Sequence, residues 1–174
     1  MKPFGIAGWS NSGKTTLLAN LVPVLIARGI AVSTIKHAGH GFDLDKPGKD
    51  SYRHRDAGAT EVLITSPERW ALIHELRDAP EPPLPELLAR MEPVDLVLIE
   101  GFKRAPHPKL EVWRPDNGKT PLYLEDPHIV AIACDVAPAG CTLPILPLGD
   151  AEAIADFIVA HVGLAGNSNA RRRA

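Results

Sequence analysis

The chain has 174 residues, of which 45% are hydrophobic and 23% charged, and its formal net charge is −2. This composition is ordinary for a globular protein with its own core. The small net charge excludes an overall basic field for nucleic acid or a membrane surface, and no apolar run reaches the thickness of a bilayer. We therefore expect one cytoplasmic domain over residues 1–165, followed by a disordered tail at 166–174.

Short apolar runs alternate with helical patterns along most of the chain. We predict buried strands at 4–7, 31–35, 62–64, 94–99 and 129–133, and helices at 14–28, 84–91 and 151–162. Asp150 is the expected N-cap of the last helix, and Asp50 or Ser51 is the expected N-cap of a short helix in the segment 50–59. Strands that alternate with helices favour the α/β class, with a mainly parallel sheet covered by helices on both faces.

Residues 109–124 are predicted to form a β-hairpin inserted between two core strands. Leu110 and Val112 have strand character, Pro-Asp-Asn-Gly at 115–118 is typical of a turn, and 122–124 supplies a returning strand. The prolines of this segment suit an exposed edge, which needs cover. We therefore expect the hairpin to form a two-fold homodimer, with Trp113 and Tyr123 at the interface.

Residues 8–15, Gly-Trp-Ser-Asn-Ser-Gly-Lys-Thr, match the phosphate-binding pattern G-x-x-x-x-G-K-[ST] between a predicted strand and a predicted helix. Gly8 and Gly13 allow backbone N–H groups to turn toward phosphate oxygens, and the helix N-terminus adds its positive end. Lys14 is predicted to reach the β- and γ-phosphates, and the Thr15 hydroxyl to coordinate Mg²⁺. The expected fold is therefore that of a P-loop NTPase.

The magnesium ion also needs a carboxylate, and the predicted strand at 94–99 offers Asp95 and Glu100. They lie about 17 Å apart along a strand at ~3.3 Å per residue, so only one of them can reach the loop. Ligands bind beyond the carboxyl ends of parallel strands. We therefore assign Glu100 to the Mg²⁺ site and interpret Asp95 as a residue that begins the strand.

The segment 36–59 follows the second predicted strand and is dense in lysine, arginine, histidine and aspartate. A loop in this place adjoins the phosphate site, where nucleotide switches usually occur, although a solvated polar connector is the simpler alternative. Three roles stay open: a γ-phosphate switch, a clamp for an anionic ligand, and a Zn²⁺ or Ni²⁺ site. The basic surplus favours a clamp combined with a switch. The candidate ligand-binding residues are Lys36, His37, His40, Arg53 and Arg55.

Three motifs together resemble the MobB family, molybdopterin-guanine dinucleotide biosynthesis protein B. They are the phosphate-binding loop, the segment 36–59, and the strand end Asp-Leu-Val-Leu-Ile-Glu-Gly-Phe-Lys at 95–103, and the similarity spans most of residues 4–161. The resemblance implies a GTP-binding homodimer that assists the nucleotidyltransferase MobA, which attaches GMP to molybdopterin. It also implies that the segment 109–124 is the dimer-forming element.

By position, the resemblance implies that the loop holds the nucleotide phosphates, that Glu100 serves Mg²⁺, and that the segment 36–55 faces the phosphates or the pterin. The loop residues concerned are Gly8, Ser10, Asn11, Ser12, Gly13, Lys14, Thr15 and Thr16. The guanine-reading sequences N-K-x-D and T-K-x-D are absent. Asp135, which follows a late predicted strand, is therefore either a base-reading carboxylate or a surface residue that caps a loop.

Hydrolysis of GTP is predicted to be slow at most. The chain contains no glutamine to position water, although His or Asp from the segment 37–45 could substitute, and no arginine is obviously placed as a finger. The catalytic candidates are Lys14 and Glu100. Two other functions stay open on the same fold. One is a small-molecule kinase whose arginines clamp a second substrate, and the other is a GTP-dependent metallochaperone that uses His37 and His40.

Overall fold

The computed structural model describes residues 1–39 and 41–164, which form two compact units. The core unit comprises 1–37 and 92–164, and the inserted unit comprises 38–91. The expectation of a single domain over 1–165 stays a prediction, and the tail at 166–174 lies outside the described residues. No helix among the described residues is long and apolar enough to cross a membrane.

The chain alternates between strands and helices as predicted. The strands are β1 (Lys2–Ala7), β2 (Val32–Lys36), β3 (Glu61–Thr65), β4 (Trp70–His74), β5 (Leu96–Glu100), β6 (Lys109–Val112), β7 (Ile129–Cys134) and β8 (Ile145–Pro147). The helices are α1 (Lys14–Ala27), α2 (Asp50–Asp56), α3 (Leu84–Ala89) and α4 (Ala151–His161). The α/β class is confirmed, but the sequence patterns did not single out β4 or β8.

The core unit is built on a six-stranded sheet in the order β2-β5-β1-β6-β7-β8. Every neighbouring pair in this sheet is parallel, so the carboxyl ends of its strands meet at one edge. Buried residues of α1 recur at helical spacing, at Leu17, Leu21 and Leu25, and join the same apolar core as Ile154 and Ile158 of α4. The mainly parallel sheet predicted from the sequence is confirmed.

Two N-cap predictions had different outcomes. The Asp150 side chain accepts a hydrogen bond from the backbone N–H of Ala153 at 2.9 Å, as expected for the N-cap of α4. The N-cap of α2 is Lys49, without a side-chain cap bond, so the prediction of Asp50 or Ser51 was wrong. Asp50 lies instead in the first turn of α2, where a carboxylate still faces the positive end of the helix.

The predicted hairpin at 109–124 is not formed. Residues 109–112 are β6, a parallel strand between β1 and β7, and each of them is at most 1% exposed. Residues 115–117 and 122–124 form short 3₁₀ turns. The buried carboxylate of Glu111 accepts hydrogen bonds from the backbone N–H groups of Leu122 and Tyr123, at 2.7 and 2.9 Å. These bonds hold the returning segment against β6 without strand pairing.

The hairpin of this protein lies in the inserted unit. β3 and β4 pair in an antiparallel two-stranded sheet, in which Leu63 lies opposite Leu72. The run at 62–64 was predicted as a buried strand, but only Val62 of the three is buried. Leu63 and Leu72 are 60% and 48% exposed, and Trp70, two residues from Leu72 on the same face, is 64% exposed. One face of this hairpin therefore exposes large apolar side chains.

Candidate phosphate-binding site

The loop between β1 and α1 has the backbone conformation that its glycines allow. Gly8 and Gly13 have φ angles of 141° and 101°, and Asn11 also lies in the left-handed region at 61°. A Cβ atom at Gly8 would lie 2.5 Å from the carbonyl oxygen of Val112, so no other residue fits there. α1 begins at Lys14, directly after Gly13, and its N-terminus supplies unpaired N–H groups at the loop.

A pocket of about 490 Å³ opens at this end of the sheet. Its lining residues are Ser10, Asn11, Gly13, Lys14, Thr15, Thr16, Lys36 and Glu100. All eight were predicted from the sequence as site residues. Ser12, also predicted, is 1% exposed, and its Oγ has no hydrogen-bond partner in the part of the chain that the structure describes. The structure therefore brings the loop and the ends of β2 and β5 to one pocket.

The Lys14 ammonium is held inside the loop. Its Nζ donates a hydrogen bond to the carbonyl oxygen of Trp9 at 2.7 Å. Burial lowers the pKa of Lys14, Glu100 raises it, and the ammonium groups of Lys103 and Lys36 lower it further. The ammonium groups of Lys14 and Lys36 both line the pocket, and a polyphosphate would neutralise them.

The Thr15 hydroxyl and the Glu100 carboxylate lie side by side, as a magnesium site requires. Thr15 Oγ1 donates to Glu100 Oε1 at 3.3 Å, and Lys36 Nζ lies 3.7 Å from Glu100 Oε2. The sheet sets this geometry, because Glu100 is in register with Ile6 of β1 on one side and Lys36 of β2 on the other. Hydroxyl and carboxylate oxygens are ligands suited to Mg²⁺, so the donor set fits the ion.

Asp95 lies at the opposite end of β5, as its interpretation as a strand-start residue requires. Its Oδ2 accepts a hydrogen bond from the backbone N–H of Ala31 at 2.8 Å, and its carbonyl oxygen accepts one from Lys2 N–H at 2.9 Å. These bonds tie together the first residues of three neighbouring strands. Asp95 therefore has a structural role far from the phosphate loop.

His37 packs against the end of β5. Its backbone N–H donates to the Glu100 carbonyl oxygen at 2.8 Å, and its ring centroid lies 4.7 Å from that of Phe102. Gly101, with φ 101°, allows this contact, since a Cβ there would lie 2.6 Å from the His37 Cβ. The role of His37 in ligand binding stays a prediction, and His40 lies outside the described residues.

Arg114, which the sequence analysis did not single out, also reaches the loop. Its Nε donates to the Ser12 carbonyl oxygen at 3.2 Å, and its Nη1 lies 3.1 Å from Asp135 Oδ2. Asp135 directly follows β7, at the same edge of the sheet. Recognition of β6 as a core strand would have pointed to Arg114, because polar residues just past parallel strands line such sites.

Arg55, one of the basic residues of the segment 36–59, is paired with carboxylates. Within the inserted unit, its guanidinium pairs with Asp43 at 3.0 Å, Asp45 at 2.8 Å and Glu75 at 3.2 Å. Asp43 and then Glu75 raise the pKa of Arg55 by hydrogen bonding. The Asp45 side chain is only 4% exposed, so this network is partly internal. The surplus of cations counted in the sequence is therefore not available at Arg55, and its ligand-binding role stays a prediction.

The other predictions for the segment 36–59 concern Arg53 and a metal site. Arg53 is exposed on α2 and lines a pocket with Asp50 and His54, and its ligand-binding role also stays a prediction. Among the described residues, no three His, Cys, Asp or Glu side chains come together in a way that could hold a metal ion.

A family model described as molybdopterin guanine dinucleotide synthesis protein B, MobB, matches residues 4–135. The chain belongs to the MobB family. It is 46% identical to the molybdopterin-guanine dinucleotide biosynthesis adapter protein of Escherichia coli K12, over 88% of this chain and 89% of that protein. It is 43% identical to the protein of that name from Haemophilus influenzae, over 88% of this chain and 85% of the relative.

The crystal structure of Bacillus subtilis MobB has the same fold. It superimposes with a TM-score of 0.73 and 26% sequence identity, and the match covers 93% of this chain and 98% of that one. The family match at 4–135 extends from β1 through the phosphate loop and the end of β5 to Asp135. The resemblance stated from three motifs is thus confirmed, and the fold is that of the P-loop NTPase-like MobB structures.

Proposed function

We propose that this MobB-family chain is a GTP-binding adapter in the conversion of molybdopterin to molybdopterin guanine dinucleotide. The adapter role is supported by the names of the relatives in Escherichia coli and Haemophilus influenzae, which align with nearly the whole chain. The nucleotide role is supported by one observation in particular: Lys14, Thr15 and Glu100 line one pocket at the N-terminus of α1. A cytoplasmic location belongs to the same proposal, because GTP is available there.

In this proposal the phosphates lie over the loop, where the backbone N–H groups and Lys14 bind them. The Lys14 ammonium would exchange its bond with the Trp9 carbonyl for the β- and γ-phosphate oxygens. Mg²⁺ would be held by Thr15 Oγ1, with the Glu100 carboxylate beside it, and would neutralise charge on the phosphates. Asp135 is the carboxylate that we assign to the guanine base.

Slow hydrolysis is part of the proposal. The chain has no glutamine, so a Ras-type water-positioning residue is absent, and Glu100 is committed to Thr15 and Lys36. Lys14 and Glu100 would support a low rate through charge stabilisation alone. Bound GTP would then act mainly as a ligand. The adapter would present to its partner either the GTP or the protein surface of the GTP-bound state.

The partner that we propose is a MobA-like guanylyltransferase, with molybdopterin as a further ligand. The deciding experiment measures GTP binding by calorimetry and GTP turnover, each with and without the transferase. The proposal predicts GTP binding that depends on Mg²⁺, slow turnover, and a faster yield of molybdopterin guanine dinucleotide when the chain is added. Absence of GTP binding, or an unchanged yield, would contradict it.

A homodimer also belongs to the proposal, but on a different surface from the one that the sequence suggested. The segment 109–124 is committed to the core through Glu111, whereas the β3–β4 hairpin exposes Leu63, Trp70 and Leu72 on one face. A second copy of the chain would cover this face. Light scattering on Leu72→Lys should give a monomer. Leu124→Lys, at a leucine of the segment 109–124 that is 62% exposed against 48% for Leu72, should leave the dimer intact.

A further inference from the structure

The end of β6 adjoins the phosphate loop at both ends of the loop. The Val112 carbonyl oxygen abuts Gly8, where a Cβ would lie 2.5 Å away. Arg114, two residues later, donates its Nε hydrogen to the Ser12 carbonyl oxygen, and its guanidinium lies within about 4 Å of where a Gly13 Cβ would be. Arg114 therefore braces the part of the loop from which α1 begins.

The same side chain reaches the end of the next strand. Val112 is in register with Ala133 of β7, and the Trp113 N–H donates to the Ala133 carbonyl oxygen at 3.0 Å. This pairing carries Asp135 to a point where its Oδ2 lies 3.1 Å from Arg114 Nη1. One guanidinium thus links the backbone of the phosphate loop to a carboxylate at the edge of the sheet where ligands bind.

Guanine and adenine differ in what they offer to a carboxylate. The Watson–Crick edge of guanine presents two N–H donors, and a carboxylate accepts both, whereas adenine places an acceptor nitrogen at the corresponding position. Discrimination of this kind depends on a carboxylate held in one orientation, because a mobile one loses the bidentate geometry.

We propose that Arg114 is a positioning residue that orients the Asp135 carboxylate toward the guanine base and couples base recognition to the phosphate loop. This inference rests on the proposed GTP-binding function and deepens it. The ligand class is a guanine nucleotide that contacts the loop and Asp135 together. A nucleotide whose base lacks the paired donors loses the contact with Asp135, the carboxylate that Arg114 holds beside the loop.

Stability alone does not account for the Arg114–Asp135 pair. Its side chains are 42% and 58% exposed, and exposed ion pairs contribute little to folding. The chain offers a matched comparison in Arg28, which is 27% exposed and pairs with Glu152 and Asp156 to connect the C-terminal end of α1 with α4. Loss of either arginine removes an arginine–carboxylate network in the core unit, but only Arg114 touches the phosphate loop.

The experiment measures the dissociation constants of GTP, GDP and ATP by calorimetry for the wild type, four test variants and one control variant. In Arg114→Ala and in Asp135→Asn, the preference for GTP over ATP should fall about tenfold, the usual effect of one charge-assisted hydrogen bond. The double variant should lose no more preference than either single variant, because the two residues act as a unit. Arg114→Lys should lose it too, since an ammonium cannot bridge both partners.

Arg28→Ala is the control and should keep the full preference. A normal preference in Arg114→Ala, or additive losses in the double variant, would overturn the inference while the proposed GTP binding stands. So would an equal loss of GTP, GDP and ATP affinity in Arg114→Ala with normal preference in Asp135→Asn, because Arg114 would then be a phosphate ligand. A wild type that binds no nucleotide would overturn the proposed function as well.

Discussion

The phosphate site and the Arg55 cluster use positive charge in opposite ways. In the phosphate site, Lys14 and Lys36 line one pocket, and Glu100 is the carboxylate in its described lining. Lys103 and Lys36 both lower the pKa of Lys14. In the inserted unit, the single guanidinium of Arg55 is matched by three carboxylates. The first arrangement has more cations than carboxylates and therefore favours binding of an anion. The second has more carboxylates than cations and does not.

This difference separates ligand binding from folding. A surplus of cations that the protein itself leaves unneutralised costs stability and is compensated when a ligand binds. An arginine surrounded by carboxylates instead links parts of the fold. Its removal leaves those carboxylates unpaired and lowers the free energy of unfolding. We therefore expect substitutions in the two regions to affect different measurements.

The largest effect is expected on stability, in Arg55→Ala. The Asp45 carboxylate, 4% exposed, would lose its ion-pair partner, and a nearly buried carboxylate left unpaired destabilises the fold. Denaturant unfolding should show this loss of stability. The affinity for GTP should stay within about twofold of the wild-type value, a smaller change than the tenfold that corresponds to ~1.4 kcal/mol. Arg53→Ala, two residues away on the exposed side of α2, is the control and should unfold like the wild type.

If Arg55→Ala unfolded normally but bound a phosphorylated ligand or the partner transferase poorly, the comparison would be wrong. Arg55 would then be the anion clamp that the sequence suggested, with its carboxylates displaced on binding.

Lys14→Ala should show the reverse pattern. Its ammonium is the charge-assisted donor in the loop, and such contacts contribute about 1.5–3 kcal/mol to binding. The affinity for GTP should fall tenfold to a hundredfold, since ~1.4 kcal/mol is a factor of ten. Unfolding should be unchanged or slightly improved, because the pKa of Lys14 is lowered chiefly by burial. Unchanged GTP binding in calorimetry would remove this loop as the nucleotide site.

Much of this contrast was predictable from the sequence, and its limits have a physical cause. The loop, its flanking strand and helix, and the position of Glu100 at the end of β5 depend on local patterns that a sequence displays directly. The pairing of Arg55 with Glu75 depends on a contact twenty residues apart within the chain. Charge counting along the segment 36–59 could not reveal it.

The error at 109–124 has a similar origin. The turn chemistry was correct, since residues 115–117 do turn and Gly118 adopts φ 59°. Strand pairing was not, because β6 finds its partners in β1 and β7 rather than in the residues that follow the turn. Glu111 and Lys109 are both 0% exposed. Charged residues such as these are typical of an exposed strand, so the sequence pattern did not indicate a central one. Their charges are compensated by Leu122, Tyr123 and Asp126.

The next prediction concerns His107, a buried side chain that stays uncharged in the folded protein instead of forming an ion pair. His107 is 5% exposed, and neither ring nitrogen has a hydrogen-bond partner among the described residues. Burial above all, together with Lys109 and His128 and against the opposing effect of Asp126, lowers the pKa of His107 to about 4. Below about pH 6.5 the unfolded chain protonates this histidine and the folded one does not. The free energy of unfolding should therefore fall by about 1.6 kcal/mol between pH 6.5 and 5.

His107→Leu should flatten this pH dependence in urea unfolding measured between pH 7 and 5. The pKa of Glu111 is raised by burial, so that carboxyl titrates in the opposite sense, but it is present in both proteins and cancels in the difference. His54→Ala, at an exposed histidine of α2, is the control and should keep the wild-type slope. An equal slope in His107→Leu would show that His107 is protonated or solvated in the folded state.

The smallest effect is expected where a charge is removed without a change of shape, at the two ends of β5. Glu100→Gln keeps the hydrogen bond with Thr15 but loses the charge that attracts Mg²⁺. The useful quantity is the ratio of GTP affinity with Mg²⁺ to that with a chelator, because Gln also relieves repulsion toward the phosphates. We expect this ratio to fall by up to about tenfold, the effect of one charge-assisted contact. Asp95→Asn, whose carboxylate accepts from Ala31 N–H, should lower stability slightly and leave the ratio unchanged. If Asp95→Asn changed the ratio and Glu100→Gln did not, Mg²⁺ would not be held at the carboxyl end of β5, and the cations around Lys14 would have to neutralise the phosphates alone.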